Sequence, residues 1–360
     1  MIGYAAKEIS LIPSPNTDNF VLLLVLYIFS KWCEYCENSK DVVEDYGFLC
    51  LLAAYAITIK LSVAMLAVLV LRPVYELIKN RKFRAISCFI FMGLLIVVPY
   101  LLRSFVLSGY FVYPSEMTGF LNVDWKVPES IVKFENLEIT SRARGYFEVE
   151  QFEMVNAMSF LEWLPTWWNM QTLIIKIMSV LNLIGCPCLV ILSIYNSLKK
   201  RTNYDICVML TAMVQYLYWM LSAPKSRYGI VFLFLIPGMV LALVLERFNK
   251  CSSWKYGSGL FISGVLLVAL LINSVKVIEK VPIKRSSYYV YRDTREVDWN
   301  GMTVYIPIEN NNTGYYGFPG ATYENILQYI ELREDTIEAG IRFKPEYNNI
   351  KLMDDGRVWE

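Results

Sequence analysis

Polar residues divide the chain into apolar runs at about 19–33, 47–59, 62–77, 85–102, 172–196, 204–222, 228–247 and 257–277. A helix crossing a bilayer needs about 20 such residues, so the longer runs read as transmembrane helices. The second and third are short and Lys60 separates them; they read as a helical hairpin. Basic residues in short loops set the orientation. Lys79-Asn-Arg-Lys-Phe-Arg84, Lys199-Lys-Arg201 and Arg247 with Lys250 and Lys255 mark cytoplasmic loops, and they alternate correctly if every run crosses once. Eight crossings place 1–18, the Lys60 turn, 103–170, 223–228 and 278–360 outside the cytoplasm, and 34–46, 78–84, 198–203 and 248–256 inside.

Two long polar regions interrupt this pattern. In the outer loop 103–170, residues 147–164 carry apolar residues at helical spacing with Glu148, Glu150, Glu153 and Glu162 between them. This predicts one amphipathic helix along the interface, with Trp163, Trp167 and Trp168 at headgroup depth. In the tail, 287–291 and 301–306 read as strands among Gly and Asn turns, with a late segment at 326–332. The predicted fold is an all-α polytopic membrane protein of about eight transmembrane helices. Residues 1–277 form its helical domain, and 278–360 form a small α+β extracytoplasmic appendage.

Composition agrees: 56% of the 360 residues are hydrophobic and 19% charged, against nearer 45–50% and about 25% in soluble domains. A net charge of +1 gives no global field for nucleic acid. The chain has no histidine, which excludes Ser-His-Asp and Cys-His catalysis and imidazole metal sites. The eight cysteines avoid both long polar regions, so no secreted disulfide scaffold is indicated. Cys33-x-x-Cys36 lacks the context of a redox or zinc motif. No basic segment precedes the first apolar run, so no cleavable leader is evident. The chain reads either as starting with a signal-anchor or as a piece of a longer protein.

Three polar constellations converge on the predicted outer side. In Pro13-Ser-Pro-Asn-Thr-Asp18, Asp18 stands at the mouth of a helix, where a carboxylate serves as a base or binds a divalent cation; helix capping is the competing reading. In Pro99-Tyr-Leu-Leu-Arg-Ser-Phe-Val-Leu-Ser-Gly-Tyr-Phe-Val-Tyr-Pro114, Arg103 ends a span and suits a phosphate, or else snorkels to the interface. In Ala223-Pro-Lys-Ser-Arg-Tyr-Gly229, Lys225 and Arg227 run against the positive-inside bias, which points to an anionic headgroup. Pairing with Asp124 or Glu129 is the alternative. Lys60 is a candidate for the same cavity, or a snorkelling residue at a turn. Nothing in the spacing singles out Glu116 or Asp124.

The segment from Arg103-Ser-Phe-Val-Leu-Ser-Gly109 to Tyr113-Pro114 resembles the Arg-Asn…Gly-x-Pro-x-Tyr-Pro pattern of bacterial C-type (GT-C) glycosyltransferases. Arg227-Tyr228 resembles a position at the start of a span in those enzymes. Ser14-Pro-Asn-Thr-Asp18, Asn122-Val-Asp-Trp-Lys-Val-Pro128, the Ala-Pro…Arg-Tyr-Gly segment and Glu331-Leu-Arg…Gly340-Ile-Arg342 look like an uncharacterised family of bacterial membrane proteins linked with surface polysaccharide. The resemblance implies sugar transfer from a polyprenyl-phosphate donor at the outer face of the bacterial inner membrane. Asp18 would then be base or metal ligand, and Lys60, Arg103, Lys225, Arg227 and Tyr228 would bind phosphate. Two departures qualify it. No first span followed by a long acidic loop is present, and Ser104 stands for the usual Asn, with Tyr110 beside the expected Pro. Both fit a chain that is the downstream part of such an enzyme, or one that is not catalytic.

The reading is therefore a glycosyltransferase-like protein whose partners are membrane lipid and a lipid-linked sugar donor. A divalent cation is a possible cofactor. A transporter or flippase of lipid-linked glycan, and a non-catalytic envelope scaffold, are the alternatives. Paired halves and midplane charge, the marks of many transporters, are not visible. The sequon-like Asn311-Asn-Thr313 carries no meaning in a bacterial chain.

Overall fold

The computed structural model describes residues 17–37, 43–198, 206–248, 293–308, 317–321, 324, 326–334 and 336–347. The last apolar run, 257–277, and the strand expected at 287–291 lie outside them. In chain order the described helices are α1 (Thr17–Glu37), α2 (Val43–Ile59), a 3-10 segment (Leu61–Val70) running on as α3 (Leu71–Lys79), and α4 (Phe83–Ser108). Then come α5 (Glu129–Arg144), α6 (Phe152–Ala157), α7 (Phe160–Met170), α8 (Leu173–Leu198), α9 (Ile206–Ser222) and α10 (Ser226–Phe248). Four short strands and α11 (Ile326–Tyr329) follow: β1 (Thr294–Trp299), β2 (Met302–Pro307), β3 (Ile330–Leu332) and β4 (Ile341–Phe343). The protein is mostly helical, as the apolar runs predict.

Three stretches among these residues are long and apolar enough to cross a membrane: Leu61–Lys79, Phe83–Ser108 and Leu173–Leu192. Ile206–Ser222 and Ser226–Ala242 are apolar but shorter. The hairpin expected around Lys60 is present, because α2 packs on the 3-10 segment and on α3 across that turn.

The described residues fall into two compact units. The first holds 17–100, 143–145 and 159–248. In it α10 packs on α8, α9 and α1, while α9 and α2 pack on the 3-10 segment. Its core is aromatic and aliphatic, with Trp32, Leu66, Trp167, Trp219 and Phe232 fully buried. Pro99, Pro165, Pro187 and Pro237 lie inside helices, and each removes a backbone donor. At Pro237 the carbonyl left without its partner is that of Leu233, and Asn182 Nδ2 donates to it at 2.7 Å. No part of the apolar window of α4 is buried in the protein, although the Phe89 ring fills the space beside Gly47 of α2.

The expected amphipathic helix over 147–164 is not a single helix. It breaks at Met158 and Ser159, where Ser159 and Glu162 form a capping box that starts α7. The associated tryptophans differ from expectation too. Trp163 and Trp167 are buried in the core of the first unit, and Trp167 donates its indole N–H to the Pro224 carbonyl at 2.6 Å. Burial with a satisfied N–H is the ordinary alternative to an interfacial position.

The second unit holds 101–142, 146–158 and the described residues of 293–347. α5 packs on α6 through Phe134 and Phe152. β1 and β2 form an antiparallel hairpin turning at Asn300-Gly301, both at positive φ, as a two-residue hairpin turn requires. Val304 and Ile306 pack on Leu327 to make a small core. β3 pairs antiparallel with β4. Arg333, just after β3, donates to Asp124 at 2.8 Å and lies 5.0 Å from the centre of the Trp125 ring. These contacts tie the C-terminal residues to the loop before α5.

Candidate functional site

The first unit brings four of the predicted site residues together. Asp18 lies in the first turn of α1, where a carboxylate suits the helix dipole. Lys60 is the extended residue (φ −150°, ψ 111°) between α2 and the 3-10 segment. Arg227 and Tyr228 lie in the first turn of α10.

Local packing fixes the start of α10. The Lys225 carbonyl accepts bonds from the Trp219 indole at 2.9 Å and from the Tyr228 N–H at 2.9 Å. Gly229 is needed because the Trp219 ring occupies the space a Cβ would take. Ser62 donates its hydroxyl to the Tyr228 carbonyl at 3.4 Å, joining the 3-10 segment to the same turn.

Within this frame the Lys60 ammonium is bound to the Asp18 carboxylate, and it lies 4.6 Å from the centre of the Tyr228 ring. Their side chains are 14% and 17% exposed, so the pair is screened far less than a surface salt bridge. Arg227 donates to the Tyr228 hydroxyl at 2.9 Å, with its guanidinium 4.9 Å from the same ring. Burial pulls the Lys60 amine below the ordinary lysine value, Asp18 acts against that shift, and Arg227 adds to it.

Asp18, Lys60, Arg227 and Tyr228 line a cleft of about 250 Å³, counting the open space at its mouth. Val21 and Val25, one and two turns further into α1, continue the lining with Ile230 and Phe232 of α10 and with Val63. The cleft is amphipathic, charged where the helices begin and apolar further along them. Two cations against one carboxylate suit an anion. A divalent cation fits poorly, since a hard cation takes six or more oxygen ligands. Among the described residues no group of three or more Cys, Asp or Glu is placed to hold a metal, and the Asp18 carboxylate is already bound by an ammonium.

The other candidates lie elsewhere. Lys225 does not line the cleft; its part there is its backbone. Arg103 is exposed in the last two turns of α4 and belongs to the second unit. Glu116 is exposed. Asp124 and Glu129, the acids weighed as partners for Lys225 and Arg227, pair with Arg333 and Lys126.

Ser104, which replaces the Asn of the glycosyltransferase pattern, closes a turn. It donates to the Tyr110 carbonyl at 2.9 Å and accepts from the Tyr113 N–H at 3.2 Å. Tyr110 donates its hydroxyl to the Val127 carbonyl at 3.0 Å, which folds this loop back on itself. Sequence reasoning missed two fully buried polar residues, Asn182 and Gln215. A lone amide within an apolar run was the available signal.

No protein of curated function and no solved structure matches the chain. Residues 2–234 match a family described as a domain of unknown function, DUF8201, and the chain belongs to that family.

Proposed function

We propose that the chain is a multi-pass membrane protein that holds the anionic headgroup of a lipid-linked substrate in the Asp18–Lys60–Arg227–Tyr228 cleft. The observation that carries this reading is the cleft's polarity: an ammonium and a guanidinium lie at the helix starts, and an apolar lining follows. An amphiphile with a phosphate head and a hydrocarbon tail matches both parts. The basic loops at 79–84 and 199–201 support a topology of about eight crossings with this cleft outside the cytoplasm.

The resemblance to C-type glycosyltransferases supplies the chemistry. The hydroxyl oxygen of an acceptor bonds to the anomeric carbon of a polyprenyl-phosphate-linked sugar while the bond from that carbon to phosphate oxygen breaks. Lys60 and Arg227 stabilise the charge on the departing phosphate. Asp18, exchanged from Lys60 when the phosphate enters, takes the acceptor proton. The product belongs to surface glycan assembly in a bacterial inner membrane.

Purified protein in lipid nanodiscs, given polyprenyl-phosphate-linked sugars and glycan acceptors, is expected to form product. Lys60→Met and Arg227→Met are each expected to reduce it at least 100-fold; full activity in both variants removes the reading. Cysteines placed at 18 and 227 are expected to react with an impermeant maleimide from outside the cell. Labelling from the cytosol alone removes the orientation.

A second reading, a flippase of lipid-linked glycan, draws on the interrupted helix beside the cleft. Discontinuous helices line the binding sites of many transporters. Movement of the lipid across liposomes without sugar transfer would favour it.

A further inference from the structure

Leu61–Val70 after Lys60 is 3-10 on both sides of a kink, whereas 3-10 runs beyond three or four residues are uncommon. Val63 departs from helical geometry within it (φ −105°, ψ 20°). At that point the side-chain amide of Gln215, from α9, enters the backbone ladder. Its Oε1 accepts the Met65 N–H at 3.0 Å, and its Nε2 donates to the Ser62 carbonyl at 2.7 Å. These are the two backbone groups that bond to each other in a regular 3-10 turn. Gln215 has no exposed surface, so no water competes for them. A side chain inserted into the ladder is a recognised cause of a helix break.

We propose that Gln215 is a positioning residue for the cleft: its amide props the segment open at Ser62–Met65 and so holds Lys60 against Asp18 and Tyr228. The inference rests on the reading of Lys60 as a headgroup ligand. Its geometric part stands independently, on two hydrogen bonds and a kink. Without the amide, residues 61–70 are free to wind toward α-helix, whose rise is about 1.5 Å per residue against about 2.0 Å in a 3-10 helix. Each residue rewound shortens the segment by about 0.5 Å, enough over several residues to draw Lys60 away from Asp18.

The test uses the full chain in nanodiscs with Gln215→Met, which keeps the volume and loses both hydrogen bonds, and with Gln215→Glu. At neutral pH and below, buried and protonated, the glutamic acid still accepts from Met65 and donates to Ser62, and it serves the binding readout. The first readout is the pH midpoint for acylation of Lys60, followed by mass spectrometry; burial and Arg227 lower it, and Asp18 and Tyr228 raise it. In the wild type it lies below the ordinary 10.5. Gln215→Met is expected to raise it, because the displaced amine regains water and relief of burial outweighs the loss of Asp18. The second readout is binding of farnesyl phosphate, expected to weaken at least tenfold in Gln215→Met and to recover in Gln215→Glu.

If Gln215→Met does not fold, Gln215→Asn replaces it, with an amide one methylene too short to reach both groups. A wild-type midpoint in the folded variant overturns the inference whatever the binding shows. A raised midpoint, with no farnesyl phosphate bound even by the wild type, upholds the positioning role and removes the headgroup reading.

Discussion

The ammonium of Lys60 meets the carboxylate of Asp18 across 42 residues of chain, with the face of Tyr228 beside it. Each charge depends on the other for the solvation it has lost. Lys60→Met takes the ammonium from a half-buried Asp18 and is expected to cost about 2–3 kcal/mol. The double variant Asp18→Asn/Lys60→Met is expected to regain most of that, because neither charge is then stranded. Unfolding in detergent, followed by tryptophan fluorescence, measures both. Equal stability of the single variant and the wild type would reduce the pair to a solvated surface contact.

Glu135 of α5 gives the second unit a dependence on pH. Burial raises its carboxyl above the ordinary 4.5, a hydrogen bond from Tyr113 opposes the rise, and Glu138 adds to it. A raised carboxyl binds its proton more tightly folded than unfolded. Its contribution is therefore complete below 4.5 and is lost as pH climbs through the folded value. Glu135→Gln is expected to flatten this fall and to raise the melting temperature at neutral pH. A pH series of melts on both proteins shows whether the slope disappears.

Asn182 is expected to matter for stability although it touches no part of the cleft. Asn182→Leu leaves the Leu233 carbonyl without its donor in an apolar setting, a loss of about 1–2 kcal/mol. Pairing it with Pro237→Leu, which returns a backbone N–H to α10, is expected to recover the stability. Failure of the second change to rescue the first would show that Asn182 acts through packing instead.

Gly109 is expected to tolerate no side chain. It sits at φ +79°, and a Cβ there would lie 2.8 Å from the Lys126 backbone. Gly109→Ala combines left-handed strain with that clash and is expected to cost at least about 2 kcal/mol. Limited proteolysis reads it directly, since the loop between α4 and α5 should become cleavable at protease concentrations the wild type resists.

Much of this arrangement was legible in the sequence. The expected alternation of apolar runs put the start of α1, the Lys60 turn and the start of α10 on one side, and Asp18, Lys60 and Arg227 do come together; the number of crossings belongs to the proposed topology. The helix α5 was not visible, because its polar sequence has no marked apolar stripe; partners in the second unit stabilise it. The break at Ser159 did carry a signal, the Ser-x-x-Glu of a capping box, which the continuous run of acids and apolar residues around it obscured. Trp163 and Trp167 were misplaced for a different reason: an indole suits an interface and a core equally well, and only the fold chooses between them. Gln215 and Asn182 act on backbone groups more than 50 residues away in sequence, which no local pattern encodes.

The bare flank of α4 has a consequence for variation. Where α4 is apolar and exposed, its side chains are under little steric selection from a core, and mainly under the demand that the helix be long and oily enough for its surroundings. Exchanges among Ile, Leu, Val, Phe and Met at its exposed positions, such as Ile90, Leu94, Leu95 and Leu102, should be nearly silent, unlike changes at Phe89 or Phe105. Shortening it, or setting one charge at its centre, should be felt at once.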